Sequence, residues 1–548
     1  MQVSEVAPPD VASTGDKDKL EHEPEKAIDT THEDEEQAGY PSGLNLLFTV
    51  LALIFSIFLA SLDMATIPKI TDEFGGIDKV SWYGAAFFMT NGSYQTAWGK
   101  AYKFFNLKYT FLASVFVLEV GSLICALAPN PVALIVGRAV TGLGAAGIGT
   151  GAYTIIAFVA PPNKRPMYTG YIGLSYGIAS VSGPLLGGVF SDTASWRWCF
   201  YVNLPIGGIA AAIIFFFFHT PKAAKPVSAT WREKFLQMDP VGTTLIMGAI
   251  ICFMLSLEKG GQTKPWNSGE VIGTLVGFFV ITALFIAWEA YQNERAVIIP
   301  RLFMTRSVGI GSLFACFFAG SYLVVLYYMP IYFQSVGGVT PIMSGVRNIP
   351  LIIAVTVAMI VSGAFISATN CAIPVLIGGA ALATVGAGLI YTLDIDSNTG
   401  KWIGYQILAG LGWGAAYQIP IIIGQRGADP GDVSSITAIV LFFQNFGGTA
   451  FVTVGQAAFA NTLVNNLATA VPSVKPSTVI ATGATAIRSV FDPADVPGIV
   501  QAYMAGVKVA FAIGIAAAGA AFATGMCGDW KADGKGGEKG HVEIVAAL

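Results

Sequence analysis

The sequence predicts an all-α polytopic membrane protein with about fourteen transmembrane helices, and three observations carry that prediction. Apolar residues come in blocks of 18 or more, each about long enough to cross a hydrocarbon core of roughly 30 Å. Only 12% of the 548 residues are charged, 54% are hydrophobic, and the mean hydropathy is +0.63. A large soluble domain carries roughly twice that charge. Glycine and proline also recur inside the apolar blocks, most densely in Tyr171–Phe190, "YIGLSYGIASVSGPLLGGVF". In a soluble helix each such glycine costs about 1 kcal/mol and an interior proline about 3. Membrane helices instead use small residues to bring their backbones close.

In chain order the apolar windows predict spans at Leu44–Ile67, Val80–Trp98, Tyr109–Ala128, Val132–Val159, Met167–Phe190, Cys199–Phe218, Pro240–Leu257 and Val271–Tyr291. The second half adds Val308–Phe333, Asn348–Ile366, Ala372–Leu393, Ile403–Ile423, Thr437–Ala460 and Val500–Ala523. Residues 1–42 are polar and acidic, lack the apolar core of a cleavable signal, and are expected to be disordered. An even number of spans puts both termini on one side. Lys100, Lys103, Lys108, Lys164, Arg165, Lys222, Lys225, Arg232 and Lys234 then fall on the terminal side, which the positive-inside rule makes cytoplasmic.

Several function classes find no support. The chain has no G-x-x-x-x-G-K-[ST] phosphate loop, no H-E-x-x-H zinc motif and no G-x-S-x-G nucleophile elbow. Its six cysteines are scattered singly, which suggests neither a disulfide framework nor a metal site. The slight acidic excess sits in the amino-terminal tail, and nothing points to nucleic acid. We therefore expect no enzyme, no cofactor and no metal. Many spans with glycine-interrupted helices point to a secondary transporter.

Charged residues inside spans cost several kcal/mol unless paired or hydrated, so the few present are candidates. Asp63 sits late in the first span, in "FLASLDMATIPKI", as a coupling carboxylate or as a helix-end cap. Glu119 lies within the third, either functional or a buried partner for Arg138. Arg138, in the fourth, cannot shed its proton and needs a partner or a wet cavity. Lys508, in the last, is within snorkelling reach of the outer interface.

These stretches resemble a known family. "LIVGRAVTGLGAAG" is similar to the fourth-helix motif of the major facilitator superfamily, whose basic residue matches Arg138. "GIASVSGPLLGG" resembles its fifth-helix antiporter motif, matched by Gly173, Gly177, Gly183, Pro184, Gly187 and Gly188. "SLDMATIP" resembles the first-helix motif of the fourteen-span drug:proton antiporters, with Asp63 as its acid. "WRWCFYVNLPIGG", "YYMPIYFQSVGGVTPIMSGVRNIP" and "GLGWGAAYQIPII" are similar to the fungal members, which export toxins, antifungals and secondary metabolites. Two departures stand out. In the loop "GKAYKFFNLK", Gly99 and Lys108 fit the family's cytoplasmic loop motif, but Lys103 stands where that motif has an acid. The first-helix motif is also about four residues short between Met64 and Pro68, roughly one helical turn of 5.4 Å.

The resemblance implies a major facilitator fold. Residues 43–219 would form an amino-terminal six-helix bundle, and residues 220–306 a cytoplasmic linker with inserted helices 7 and 8. A carboxy-terminal bundle would occupy 307–524, with an extracellular loop at 461–498 and a cytoplasmic tail at 525–548. It implies a proton-coupled antiporter with a central cavity, working by alternating access as a monomer. Asp63, Glu119 and Arg138 would serve proton coupling or gating. Tyr176, Tyr328, Tyr332, Gln334, Trp413, Tyr417, Gln418 and Gln444 would line a cavity for amphipathic small molecules, each of them also open to ordinary packing. The expected location is the plasma membrane, with the vacuolar membrane as the alternative. A related carrier for siderophores or basic amino acids and a non-transporting sensor are the competing functions.

Overall fold

The computed structural model describes residues 40–41, 43–62, 80–193, 195–261 and 263–528. Regular structure among them is helical, apart from one isolated bridge between Gly260 and Lys264. The long helices are α1 (Leu44–Leu62), α2 (Val80–Phe104), α3 (Leu107–Ala126), α4 (Pro131–Val159), α5 (Arg165–Thr193), α6 (Asn203–Phe217), α7 (Pro240–Lys259) and α8 (Gly269–Gln292). After them come α9 (Arg306–Ser335), α10 (Pro341–Thr369), α11 (Ala372–Tyr391), α12 (Thr399–Ala416), α13 (Val433–Ala470) and α14 (Val496–Met526). Twelve helices among the described residues are long and apolar enough to cross a membrane. The other two long ones, α2 and α5, have 25 and 29 residues and pack among the rest.

Local chemistry sets many of the starts. Asn130 accepts from the Ala133 N–H at 2.9 Å with Pro131 next in line, and Asp239 accepts from Gly242 at 3.0 Å ahead of Pro240. A short polar cap followed by proline fits a helix start, because proline's missing N–H falls where no intrahelical partner exists. Asn398 caps α12 in the same way through Lys401, at 2.9 Å.

Helices α1–α6 pack into one bundle and α9–α14 into a second. Apolar lipid tails give two apolar helices no reason to leave them for each other, so close approach has to do the work. In the first bundle a Cβ at Gly144 would strike the backbone N of Leu118, and one at Gly121 the backbone N of Thr141. These glycines let α3 and α4 touch backbone to backbone. The second bundle has a larger core of side chains, including Phe314, Phe318, Tyr328, Phe333, Trp413 and Phe511.

The pair α7 and α8 packs mainly on itself and reaches the bundles where α7 meets α2 and α13. Only 11% of the apolar window of α8 is buried, against 67% for α9. Ile272, Val276, Phe279, Val280 and Leu284 stay exposed on α8, as a lipid-facing helix requires. The two bundles themselves meet along α5–α10 and α2–α13.

The segment read as a loop at 461–498 starts as helix: α13 continues to Ala470, well past Ala460. Leu463 and Leu467 hold it, being fully buried in the second core. Two short helices, Pro476–Thr482 and Ile487–Val490, follow. Arg488 donates to the carbonyls of Ser335 (3.1 Å) and Val336 (2.8 Å), which satisfies the end of α9. Lys508 pairs with Asp394 at 3.4 Å on the exposed surface.

Candidate functional site

The centre of the molecule is built on a broken helix. α12 ends at Ala416, and a short helix, Ile419–Gln425, resumes after Tyr417 and Gln418. Pro420 explains the break, since it has no N–H to return to Ala416 and its ring crowds the preceding turn. The Ile421 N–H goes instead to the Gln418 carbonyl, at 3.2 Å. That leaves the Tyr417 carbonyl without its helical donor, and the Gln444 side chain on α13 supplies one at 3.0 Å.

Polar aromatic side chains gather around this break. Gln418 donates to the Tyr153 hydroxyl on α4 at 3.4 Å, so the break reaches into the first bundle. Gln425 bonds Thr437 at 2.7 Å and the Tyr153 carbonyl at 3.4 Å. Tyr322 packs edge-on against Tyr417, with ring centroids 5.6 Å apart, and against Trp413 at 5.7 Å. Trp413 in turn donates to Ser321 at 3.3 Å. Tyr176 on α5 lies within electrostatic reach of the buried Tyr153 and of Tyr417. It nonetheless keeps 38% of its surface exposed. A second amide link joins the halves nearby: Asn445 donates to Gln95 at 3.1 Å, and Gln95 to Thr150 at 2.7 Å. Among the described residues these bonds connect neutral groups only.

The other expected lining residues lie elsewhere in the second bundle. Tyr328 is fully buried and donates to Gln456 at 3.0 Å. Tyr332 donates to the Asp394 carbonyl at 2.9 Å, and Gln334 to Ser344 at 2.8 Å. Conversely, Tyr153, Tyr322, Gln95 and Asn445 belong to the central cluster without having been singled out in the sequence. The signal for Gln95 and Asn445 was there: an amide inside a span needs a partner.

The glycines of α5 form the contact between bundles. A Cβ at Gly170 would stand 2.8 Å from the Met359 carbonyl oxygen, and one at Gly173 would stand 3.0 Å from Gln418 Nε2. At Gly177 it would overlap the Thr356 hydroxyl. From α10, Gly363 returns the contact: a Cβ there would stand 2.5 Å from the Pro166 carbonyl oxygen. Gly183 is buried, and α5 continues through Pro184, Gly187 and Gly188 to Thr193.

Where α2 ends, the seam is charged. Gly99 lies against Ser434 and Ala438 of α13. Lys103 pairs with Asp432 at 2.8 Å, and Arg301 holds the other oxygen of Asp432 at 2.9 Å. Burial raises the pKa of the Asp432 carboxyl, but the hydrogen bonds from Lys103 and Arg301 outweigh it, and the net shift is downward. Lys108 sits on the same side, donates to the Phe215 carbonyl at 2.6 Å, and so closes the end of α6.

The ionisable candidates are spread over the first bundle. Arg138 is only 5% exposed, donates to the Tyr83 carbonyl on α2 at 2.9 Å, and holds its guanidinium 4.8 Å from the Phe87 ring centre. Glu119 is turned to α6, where a Cβ at Gly207 would overlap its carboxylate. Asp63 lies outside the described residues.

Comparison with known proteins places this architecture. The profile of the Major Facilitator Superfamily matches residues 49–452. The chain belongs to that superfamily. The MFS-type transporter grgE of Penicillium sp is 52% identical over 495 residues, covering 90% of this chain and 88% of that protein. The probable efflux pump gsfJ of Penicillium aethiopicum is 51% identical, with 90% and 89% covered. The MFS-type efflux pump MFS1 of Arthroderma benhamiae is 41% identical, with 86% and 89% covered. Among solved structures, the human organic anion transporter MFSD10 matches with a TM-score of 0.54 at 12% identity, covering 88% of this chain and all of that one. At such identity the likeness is one of fold. The superfamily and these relatives make the chain a membrane transporter.

Proposed function

We propose that this transporter is a proton-coupled exporter of amphipathic small molecules, taken up at the broken helix around Tyr417 and Gln418. The observation that carries the reading is that break, because a discontinuous helix within an apolar span presents backbone and side-chain polar groups that a continuous helix would hide. Phenol hydroxyls both donate and accept, amides do both, and the aromatic faces supply apolar contact. Tyr176, Tyr322, Trp413, Tyr417, Gln418 and Gln444 thus suit a ligand with an apolar body and a few polar atoms. The efflux names of two relatives support the direction.

Alternating access needs a seam that can open at either end. The positive-inside rule makes the Lys103 end cytoplasmic, so the contacts of Gly99 and Lys103 describe a conformation closed towards the cytoplasm. Protons entering from the opposite side would charge and discharge Asp63 or Glu119, with Arg138 as the fixed cation of the first bundle. The proposed location is the plasma membrane.

The test is export from vesicles holding the purified protein, driven by an imposed pH gradient and followed with a panel of fluorescent amphipathic aromatics. Transport that follows the gradient, and that falls in both Asp63→Asn and Tyr417→Ala, supports the reading. Undiminished gradient-driven transport in Asp63→Asn removes the proton role from that residue. An unchanged Michaelis constant in Tyr417→Ala removes the site.

A further inference from the structure

The stretch between the inserted pair and the second bundle, residues 293–305, has no part in the transport site, yet it makes several ionic contacts at the end of the seam. Lys100 on α2 is 1% exposed and donates to the Glu294 carbonyl at 2.6 Å and to Gln237 at 3.2 Å. The Glu294 carboxylate holds Arg301 at 2.8 Å. Arg301 in turn holds Asp432, which Lys103 holds from the other side. Three parts of the chain therefore converge on one carboxylate: the end of α2, the linker after α8, and the start of α13.

We infer that this linker is the third member of a latch, in which Arg301 and Lys103 share Asp432 and so tie the inserted pair to closure of the seam. The polarity follows from the residues. Lys103 and Arg301 are both cationic, so neither can take the place of Asp432; Glu294, already bonded to Arg301, is the other carboxylate near them. Asp432 is 9% exposed and Lys103 14%, so water screens that arm less than it would at an open surface, whereas Arg301 is 51% exposed and its arm is the more screened of the two. Charge-assisted bonds of this kind run at roughly twice the strength of neutral ones. The close packing of Gly99 on Ser434 and Ala438 holds the latch groups within reach in this closed seam.

The latch makes the inserted pair a mechanical element. When the seam opens at this end, Asp432 must leave Lys103, Arg301 or both. A linker that keeps Asp432 through Arg301 moves with the second bundle, whereas one that keeps Lys100 through the Glu294 carbonyl stays with the first. The linker is the place where the two bundles compete for the inserted pair.

Spin labels on native Cys371 and on Asn163→Cys, with Cys527→Ser to remove the other exposed thiol, report separation of the bundles at this end in lipid nanodiscs. Asp432→Asn should lower the short-distance population by about tenfold, as expected when a part-buried ion pair loses one member. Lys103→Asp should do the same. Combining Lys103→Asp with Asp432→Lys should restore closure only when Arg301→Gln is added, since Arg301 would otherwise face the new lysine. Closure regained in that triple variant also shows that the fold survives. An unmoved distance distribution in Asp432→Asn would overturn the latch, and full rescue by the double exchange with Arg301 intact would remove the linker from it.

Discussion

The centre of this transporter and the end of its seam solve the same problem, contact between two bundles, with opposite chemistry. At the centre Gln418 reaches Tyr153, and Asn445 reaches Gln95, through neutral groups. At the end, Lys103 and Arg301 converge on Asp432. Depth accounts for the difference. An unpaired ion deep in a low-dielectric interior costs several kcal/mol, so a contact between two separate bundles is safer between neutral groups there. Near the aqueous edge a separated ion is rehydrated, so charge can be made and unmade. Contact at the centre therefore uses hydrogen bonds and aromatic faces, and contact at the edge uses charge.

The largest effect should come from forcing the bundles apart between these two regions. Gly177→Leu must displace Thr356, and we expect at least about 3 kcal/mol of destabilisation, read as a lowered thermal midpoint in detergent, with transport lost. A midpoint equal to that of the parent protein would mean that α5 and α10 separate freely there. Next is the broken helix. Gln444→Leu leaves the Tyr417 carbonyl without its donor and should cost about 1–3 kcal/mol, while Gln444→Glu can restore the bond only by taking up a proton. Thermal unfolding in the two variants checks this, and a neutral Gln444→Leu would show that the break is held by other means.

Smaller still is the pH response of the charged end. The Asp432 carboxyl is depressed below its usual range and faces Lys103, Arg301 and, through Arg301, Glu294. Its contribution to closure is complete above the pKa of a free aspartate and fades as pH falls through its own lower value. The spin-label distances should therefore hold across mildly acidic pH and lengthen only in stronger acid. Opening at mildly acidic pH would contradict the depressed value. The smallest effect belongs to the exposed pair Lys508–Asp394, where Lys508→Ala should change stability by under about 0.5 kcal/mol.

The sequence by itself determined the helical class, the approximate place of the long helices and the family, because apolar length and glycine spacing are local properties that a membrane enforces segment by segment. The predicted Pro240–Leu257 and Val271–Tyr291 differ from α7 and α8 by a turn at most. The stretch Tyr171–Phe190 was legible as a close-packing face, and its residues Gly173 and Gly177 do meet α10. Tertiary structure alone decided which partners those faces meet. Lys103 looked like a defect in a loop motif until folding brought Asp432, 329 residues away in the chain, within 2.8 Å. Tyr153 and Tyr322 looked like ordinary span aromatics until Gln418 and Tyr417 came up against them. Periodicity records which face of a helix is buried, whereas a site between bundles depends on long-range register, which no single segment encodes.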